Sequence, residues 1–282
     1  MPHGPVLNSP AVSSRCPLTG DAGRLVSTRS RNDLISSYQS FFGVELPTEM
    51  TDKYFPPVVH HWRSSGSGLE WYSPARMGQG DFYELLGRLP WYYAAEYWDK
   101  NEALEILSRI SPGSVLEVGC GTGAFLERMV ARGIQVAGVD INRSAIAEGI
   151  RRRRNVYHSD DPGWRALAPE SIVMLQCLEH VESPLSFLEP YLELPSLRRM
   201  IISVPCSESL LSRSTDPLNW PPHHATFWNL RALNTLAKLV GMHLTTWVYE
   251  PNSWTRFSQM VAAEPRQRLQ RLPKWQHGKL GI

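Results

Sequence analysis

Residues 115–123 read V-L-E-V-G-C-G-T-G, an apolar run that ends in a glycine-rich turn, with the carboxylate of Glu117 placed just before the first glycine. Glycines at 119, 121 and 123 permit a sharp turn and a close backbone approach to a ligand, and a helix that follows such a turn aims its free N–H groups at the same place. Gly119, Gly121 and Ala124 also satisfy the G-x-G-x-x-G/A spacing of dinucleotide sites. The glycines therefore leave two cofactor classes open. Glu117 tips the balance, because an acid at the strand end repels a pyrophosphate but suits a ligand that carries a cationic amine and a sulfonium.

On either side of this stretch the chain alternates short apolar runs with helical patterns. Strands are predicted at 114–119, 135–140, 155–160, 171–176 and 199–205. Between them F-L-E-R-M-V-A-R, S-A-I-A-E-G-I-R and P-L-S-F-L-E-P-Y-L read as helices, the second introduced by Asn142 as its cap. H-L-T-T-W-V-Y-E and R-F-S-Q-M-V-A are suited to pair as closing antiparallel strands. Such alternation predicts an α/β fold, a mostly parallel sheet with helices on both faces. Residues 1–24, rich in Pro, Ser and Gly, read as loose, and a small N-terminal module is expected to begin with the helical pattern at 34–42. The boundaries drawn are 1–80 for that module and its linker, 81–262 for the α/β domain and 263–282 for a basic tail.

Composition excludes more than it specifies. With 282 residues and 42% hydrophobic content the chain can bury a real core, and its net charge of +2 is too small to imply a nucleic-acid surface. The run R-R-R-R at 151–154 falls at a predicted helix C-terminus, where cations meet the helix dipole, and reads as a solvated helix end. No apolar run is long enough to span a membrane and no secretory signal is visible, so the cytoplasm is the expected compartment. Cys16, Cys120, Cys177 and Cys206 are scattered, and reduced, packed thiols are expected. Nothing in the sequence sets the oligomeric state.

In an open α/β sheet the ligand lies beyond the carboxyl ends of the strands. The first predicted strand ends in Glu117 and in the turn that holds Gly119, Cys120, Gly121 and Gly123. Asp140, followed by Ile141, ends the second; its carboxylate suits the two hydroxyls of a ribose, the alternative being a helix N-cap. Asp160, with Asp161 beside it, ends the third and could accept from an adenine amino group. The fourth ends in Q-C-L-E-H-V-E-S-P, which puts Gln176, Glu179 and His180 at the mouth, His180 being the first choice of general base. N-W-P-P-H-H-A-T-F-W, 219–228, follows the fifth strand and offers His223 and His224 as a substrate wall and as further bases, loop packing being the plainer alternative. Adjacent histidines are a poor metal pair, so no metal is expected. Tyr92 and Tyr93 are possible lid or acceptor contacts.

Over roughly 80–262 these residues make the chain resemble the class I S-adenosylmethionine-dependent methyltransferases. V-L-E-V-G-C-G-T-G resembles the family's first motif, V-A-G-V-D-I-N its acidic second strand, and L-Q-C-L-E-H-V-E-S-P its L-E-H-V-x-D-P segment. Ser183 departs from the usual Asp, E-S-I-V-M-L from F-D-x-I, and L-P-S-L-R-R-M-I-I-S-V-P lacks the L-K-P-G-G turn. The resemblance implies a Rossmann-like seven-stranded sheet, mostly parallel with its last strand antiparallel, and S-adenosyl-L-methionine as cofactor. F-Y-E-L-L, W-D-K and P-P-H-H-A-T-F-W are further similar to bacterial enzymes of surface-polysaccharide and secondary-metabolite pathways. Many of those begin with a zinc-knuckle module of pattern C-P-x-C-G and C-x-x-C-G-L, which here reads C-P-L-T-G and S-S-G-S-G-L. Thr19, Ser64 and Ser67 stand where thiolates would ligate, so a metal-free remnant held by packing is expected. The implied activity is methyl transfer to a small polar acceptor, a sugar or secondary metabolite, most often at oxygen. Two alternatives remain at this point, a methyltransferase-fold binding or scaffold protein without turnover and a nicotinamide oxidoreductase.

Overall fold

The apolar runs of the sequence become the parallel core of a seven-stranded sheet. The structure, a computed structural model, describes residues 14–89, 92, 97–209, 216–250 and 258–265. In chain order the elements are β1 (Gly23–Ser30), α1 (Arg31–Phe42), α2 (Thr48–Tyr54), β2 (Val58–Ser64), β3 (Glu70–Ser73), α3 (Gly80–Leu86) and α4 (Trp98–Arg109). There follow β4 (Val115–Val118), α5 (Ala124–Val130), β5 (Val136–Asp140), α6 (Arg143–Arg151), β6 (Val156–His158) and β7 (Ser171–Leu175). The chain continues through α7 (Pro184–Leu192), β8 (Arg199–Pro205), β9 (Thr226–Phe227), α8 (Leu230–Leu239), β10 (Met242–Tyr249) and β11 (Ser258–Pro265).

The large sheet has the order β10-β11-β8-β7-β4-β5-β6. Strands β4 to β8 run parallel and β11 inserts antiparallel between β8 and β10. Every residue of β4 and β7 is buried, Glu117 and Ser171 included, which is why both read as mainly apolar runs rather than as alternating ones. Because β4 pairs with β5 on one side and β7 on the other, the chain reverses its winding there and opens a crevice at the carboxyl ends. Asn142 caps α6 as expected, its Oδ1 accepting from Ala145 N at 3.1 Å.

Four features differ from the sequence reading. Residues 14–24 are ordered: Cys16 and Leu18 are buried, and β1 begins at Gly23. The N-terminal module does not stop at residue 80, because β9 adds to its sheet beside β3, giving the order β1-β2-β3-β9. Leu18, Leu69 and Trp71 share one core with Leu116, Trp228 and Leu233, so the module is fused to one face of the main sheet. At the other boundary β11 runs through 265 rather than ending at 262, and the basic tail beyond it lies outside the described residues. The four-arginine run is also more than a solvated helix end. Arg154, only 7% exposed in its side chain, pairs with Glu127 at 2.8 Å and donates to the Thr122 carbonyl at 2.9 Å, bracing the glycine turn.

The four positions of the knuckle-like pattern meet in space. Cys16 Sγ lies 3.4 Å from Ser67 Oγ, Ser64 Oγ donates to Asp21 at 2.8 Å, and Thr19 donates to the same carboxylate. Burial alone would raise the Asp21 carboxyl, but the bonds from Thr19 and Ser64 outweigh it and hold the group below its ordinary range. Hydrogen bonds thus occupy the place of four ligand bonds. Since only the donor atoms differ, the Thr19→Cys, Ser64→Cys, Ser67→Cys triple variant is expected to gain one thiolate-bound metal per chain over the parent. Titration with Co2+, read as sulfur-to-cobalt charge-transfer absorption, checks this; no added binding would mean that the positions do not hold ligand geometry.

Candidate functional site

At the crevice the turn after β4 is held by backbone and carboxylate together. Gly119 N and Cys120 N both donate to Val139 O, at 2.9 and 3.1 Å, while Asp140 clasps the turn with Oδ2 accepting from Gly121 N and Oδ1 from Asn142 N, each at 2.7 Å. Asp140 is therefore not the cap of α6; that role falls to Asn142. Burial raises the Asp140 carboxyl, opposed by the Asn142 and Gly121 amides. Gly119 sits at φ +79°, and a Cβ there would lie 3.0 Å from Cys177 Sγ.

A cavity of about 650 Å³ opens beside this turn, lined at one end by Glu117, Gly119, Cys120 and Gly121. Glu117 is 3% exposed, and its Oε2 finds no hydrogen-bond partner among the described residues. Burial pushes its carboxyl up to about 8; Lys100 opposes the rise while Asp140 and Asp99 add to it. Such an orphaned buried acid, beside a turn too close to Cys177 for a side chain, fits a ligand that brings positive charge and needs close backbone approach.

His180, His223 and His224 line the other end. The backbone binds this group together: Ala225 N donates to Glu179 O at 2.8 Å, His180 Nδ1 lies 2.5 Å from the His223 carbonyl, and His223 Nδ1 lies 3.0 Å from that of Leu218. Carbonyls only accept, so both Nδ1 atoms carry the proton and both Nε2 atoms present a lone pair. Tyr92 Oη is 2.8 Å from His223 Nε2. Burial lowers all three histidines, and their mutual proximity lowers His223 and His224 further. They are neutral at pH 7. The same cavity is lined by Gln176, whose Nε2 donates to Ser203 Oγ at 3.0 Å and Asp99 Oδ2 at 3.3 Å.

Other expected site residues fall elsewhere. Gly123, at φ +76°, begins α5, and a Cβ on it would lie 2.7 Å from Val156 Cγ1. Ile141 is 46% exposed, and the exposed Asp160 pairs with Arg143 at 3.1 Å and His158 at 3.2 Å; neither lines the cavity. Asp161 accepts from Gly163 N at 2.8 Å as a turn cap. Tyr93 lies outside the described residues. The sequence reading missed Asp99, Lys100, Tyr97, Trp98 and Phe42, all of which line the cavity. For Tyr97 and Trp98 the one available signal was the aromatic-dense segment that leads into α4.

The methyltransferase domain family model matches residues 91–246, and the chain belongs to that family. The matched residues take in strands β4 to β9, with the glycine turn beside Glu117 and the histidine segment. Among curated relatives, the ubiquinone biosynthesis O-methyltransferase of Nitrosomonas europaea is 27% identical over 96 residues, 30% of this chain and 40% of that protein. The enzyme of the same name from Nitrosospira multiformis is 28% identical over 124 residues, 36% of this chain and 52% of its own. The chain thus spans about half the length of the curated relatives it matches. A solved protein of Pyrococcus horikoshii superposes with TM-score 0.49 at 18% identity, over 65% of this chain and 99% of that one. Among the described residues no helix is long and apolar enough to cross a membrane.

Gly119→Ala would put a side chain into the left-handed region and against Cys177, so it is expected to destabilise the fold by about 1–2 kcal/mol. Urea unfolding with an unchanged m-value measures this; a midpoint equal to the parent's would show that the turn relaxes.

Proposed function

We propose that the enzyme methylates a hydroxyl oxygen of a small polar acceptor, a sugar or secondary metabolite, in the cytoplasm. The observation that carries this reading is that Glu117 and three neutral imidazoles line one cavity. The printed names of the curated relatives favour oxygen over nitrogen or carbon. A nucleic-acid substrate has less support, since Arg151 and Arg152 pair with Glu148 and Arg154 with Glu127.

S-Adenosyl-L-methionine supplies a methyl carbon activated by the adjacent positive sulfur. Glu117 faces that cationic end, and the backbone of Gly119, Cys120 and Gly121 leaves room for close approach. Asp140 lies behind the glycine turn rather than on the cavity lining, and each of its oxygens keeps a second lone pair that a ribose hydroxyl reaching past the turn could use. Gln176, anchored on Asp99 and Ser203, borders the methyl position. The histidine cluster activates the acceptor, with His180 Nε2 as the first group to draw on its hydroxyl and His223 and His224 enclosing it. Phe42, Tyr97 and Trp98 offer ring faces for the acceptor's body.

A screen with methyl-labelled S-adenosyl-L-methionine across cell extracts, followed by mass determination of the labelled product, tests the activity. Label transferred to protein or RNA alone would sink the reading. With the acceptor in hand, His180→Ala and His224→Ala are each expected to lower kcat at least about 100-fold, and full turnover in both would remove the cluster from the chemistry.

Glu117 gives a second expectation. Its carboxyl, held near pH 8 by burial, is mostly protonated at pH 7, and a bound cation favours the carboxylate. Cofactor binding at pH 7 should therefore release a proton, and affinity should fall as pH drops below about 8. Calorimetry in two buffers of different ionisation enthalpy measures the release; an equal release from Glu117→Gln would assign the proton elsewhere.

A further inference from the structure

We infer that His180, His223 and His224 together hold one divalent cation, over the buried carboxylate of Glu179, at the acceptor end of the cavity. One ligand atom from each histidine lies within 4.8 Å of the other two. Zinc–nitrogen bonds of about 2.0–2.1 Å set neighbouring ligand atoms about 3.4 Å apart, so binding draws the rings inward by about 1 Å. The tautomers are already those of metal ligands. His180 and His223 each give their Nδ1–H to a backbone carbonyl, an arrangement that fixes the ring and turns the Nε2 lone pair toward a metal. Tyr92 holds the lone pair of His223 in the absence of the cation and is displaced by it.

Glu179 supplies an independent reason. Its side chain is 1% exposed, and neither carboxylate oxygen has a hydrogen-bond partner among the described residues. Oε1 lies 4.0 Å from His180 Nε2, one of the atoms available to the cation. A carboxyl buried without partners is costly, and a cation among the imidazoles above it removes that cost. Three imidazoles with a carboxylate select zinc, cobalt, manganese or iron over magnesium and calcium, which prefer all-oxygen sites.

What the cation is for rests on the methyl-transfer reading above. With the cation bound the His180 lone pair goes to the metal, which takes over from it the activation of the hydroxyl: three protein ligands leave coordination positions open to the cavity, and a hydroxyl bound there through its oxygen ionises more readily. Its proton passes to water, its oxygen forms the new bond to the methyl carbon, and the carbon–sulfur electron pair leaves with sulfur. The sequence expectation of no metal considered only the adjacent His223 and His224; the third ligand comes from 43 residues earlier, at the exit of β7.

The test uses the full chain, stripped with a chelator that is then removed, and titrated with Zn2+ or Mn2+ by calorimetry and with Co2+ by visible absorption, without cofactor or acceptor. One equivalent of Zn2+ or Co2+ is expected to bind. His180→Asn and His224→Asn should each weaken it by at least about 100-fold, with undiminished affinity for S-adenosylhomocysteine showing that both variants are folded. No binding of any of the three ions by the parent would overturn the inference, and so would binding that both variants retain. Since no acceptor is present, a negative result leaves the methyl-transfer reading standing, and failure of methyl transfer leaves the metal result intact.

Discussion

Burying a carboxyl group that has no partner is among the costliest things a fold can do, and here it is done twice along one cavity. Glu117 closes the end near the glycine turn and Glu179 the end near the histidines. Burial raises both above the ordinary carboxyl range, Glu117 to about 8 and Glu179 well beyond its usual value. Packing alone offers no return for this. Two acids that leave carboxylate oxygens without hydrogen-bond partners among the described residues make sense as receptors for positive charge, and the proposed cofactor brings a sulfonium to one of them. At the other end lie imidazoles that burial keeps neutral, with lone pairs left for the proposed cation.

Asp99 ties the two ends together. It lies in the first turn of α4, is 2% exposed, and accepts from Ser203 Oγ at 3.2 Å and Gln176 Nε2 at 3.3 Å. Its charge adds to the rise of both Glu117 and Glu179. Gln176 pays for this contact with a backbone at φ +52°, a left-handed conformation that its side-chain bonds to Asp99 and Ser203 hold in place. The strand exits are thus not independent ligand positions. They form one electrostatic unit in which α4 is as much a part of the site as β4 or β7.

The N-terminal module positions the other half. Tyr72 N donates to Ala225 O at 3.0 Å and Gly78 N to Pro222 O at 2.8 Å, and β3 pairs Trp71 with Thr226. The segment that carries His223 and His224 is thereby suspended between the module and the exit of β7. The module itself is held by hydrogen bonds of the hydroxyls of Thr19, Ser64 and Ser67. A hydrogen-bonded core around Asp21 suffices to hold β2 and β3, and through them the histidine segment. The segment then contributes a wall to the cavity whether or not a metal ever occupied the module.

How much of this could be read from the sequence depends on how local each cause is. The parallel strands were legible because burial on both faces writes itself as continuous apolar residues, and the Asn142 cap because its bond spans three positions. Glu117 was legible because strand, acid and glycine turn are contiguous. Asp140 was only half legible: its place at a strand exit was visible, but not the two amides that it clasps, since one of them belongs to another strand's turn. Asp99, Lys100 and Phe42 left no signal, because their function is to meet residues far along the chain. The histidines show the same limit most sharply. As neighbours, His223 and His224 argue against a metal. The Ala225–Glu179 backbone bond, the His180–His223 bond and the pairing of β3 with β9 bring His180 to them, contacts that no spacing within the histidine segment itself reveals.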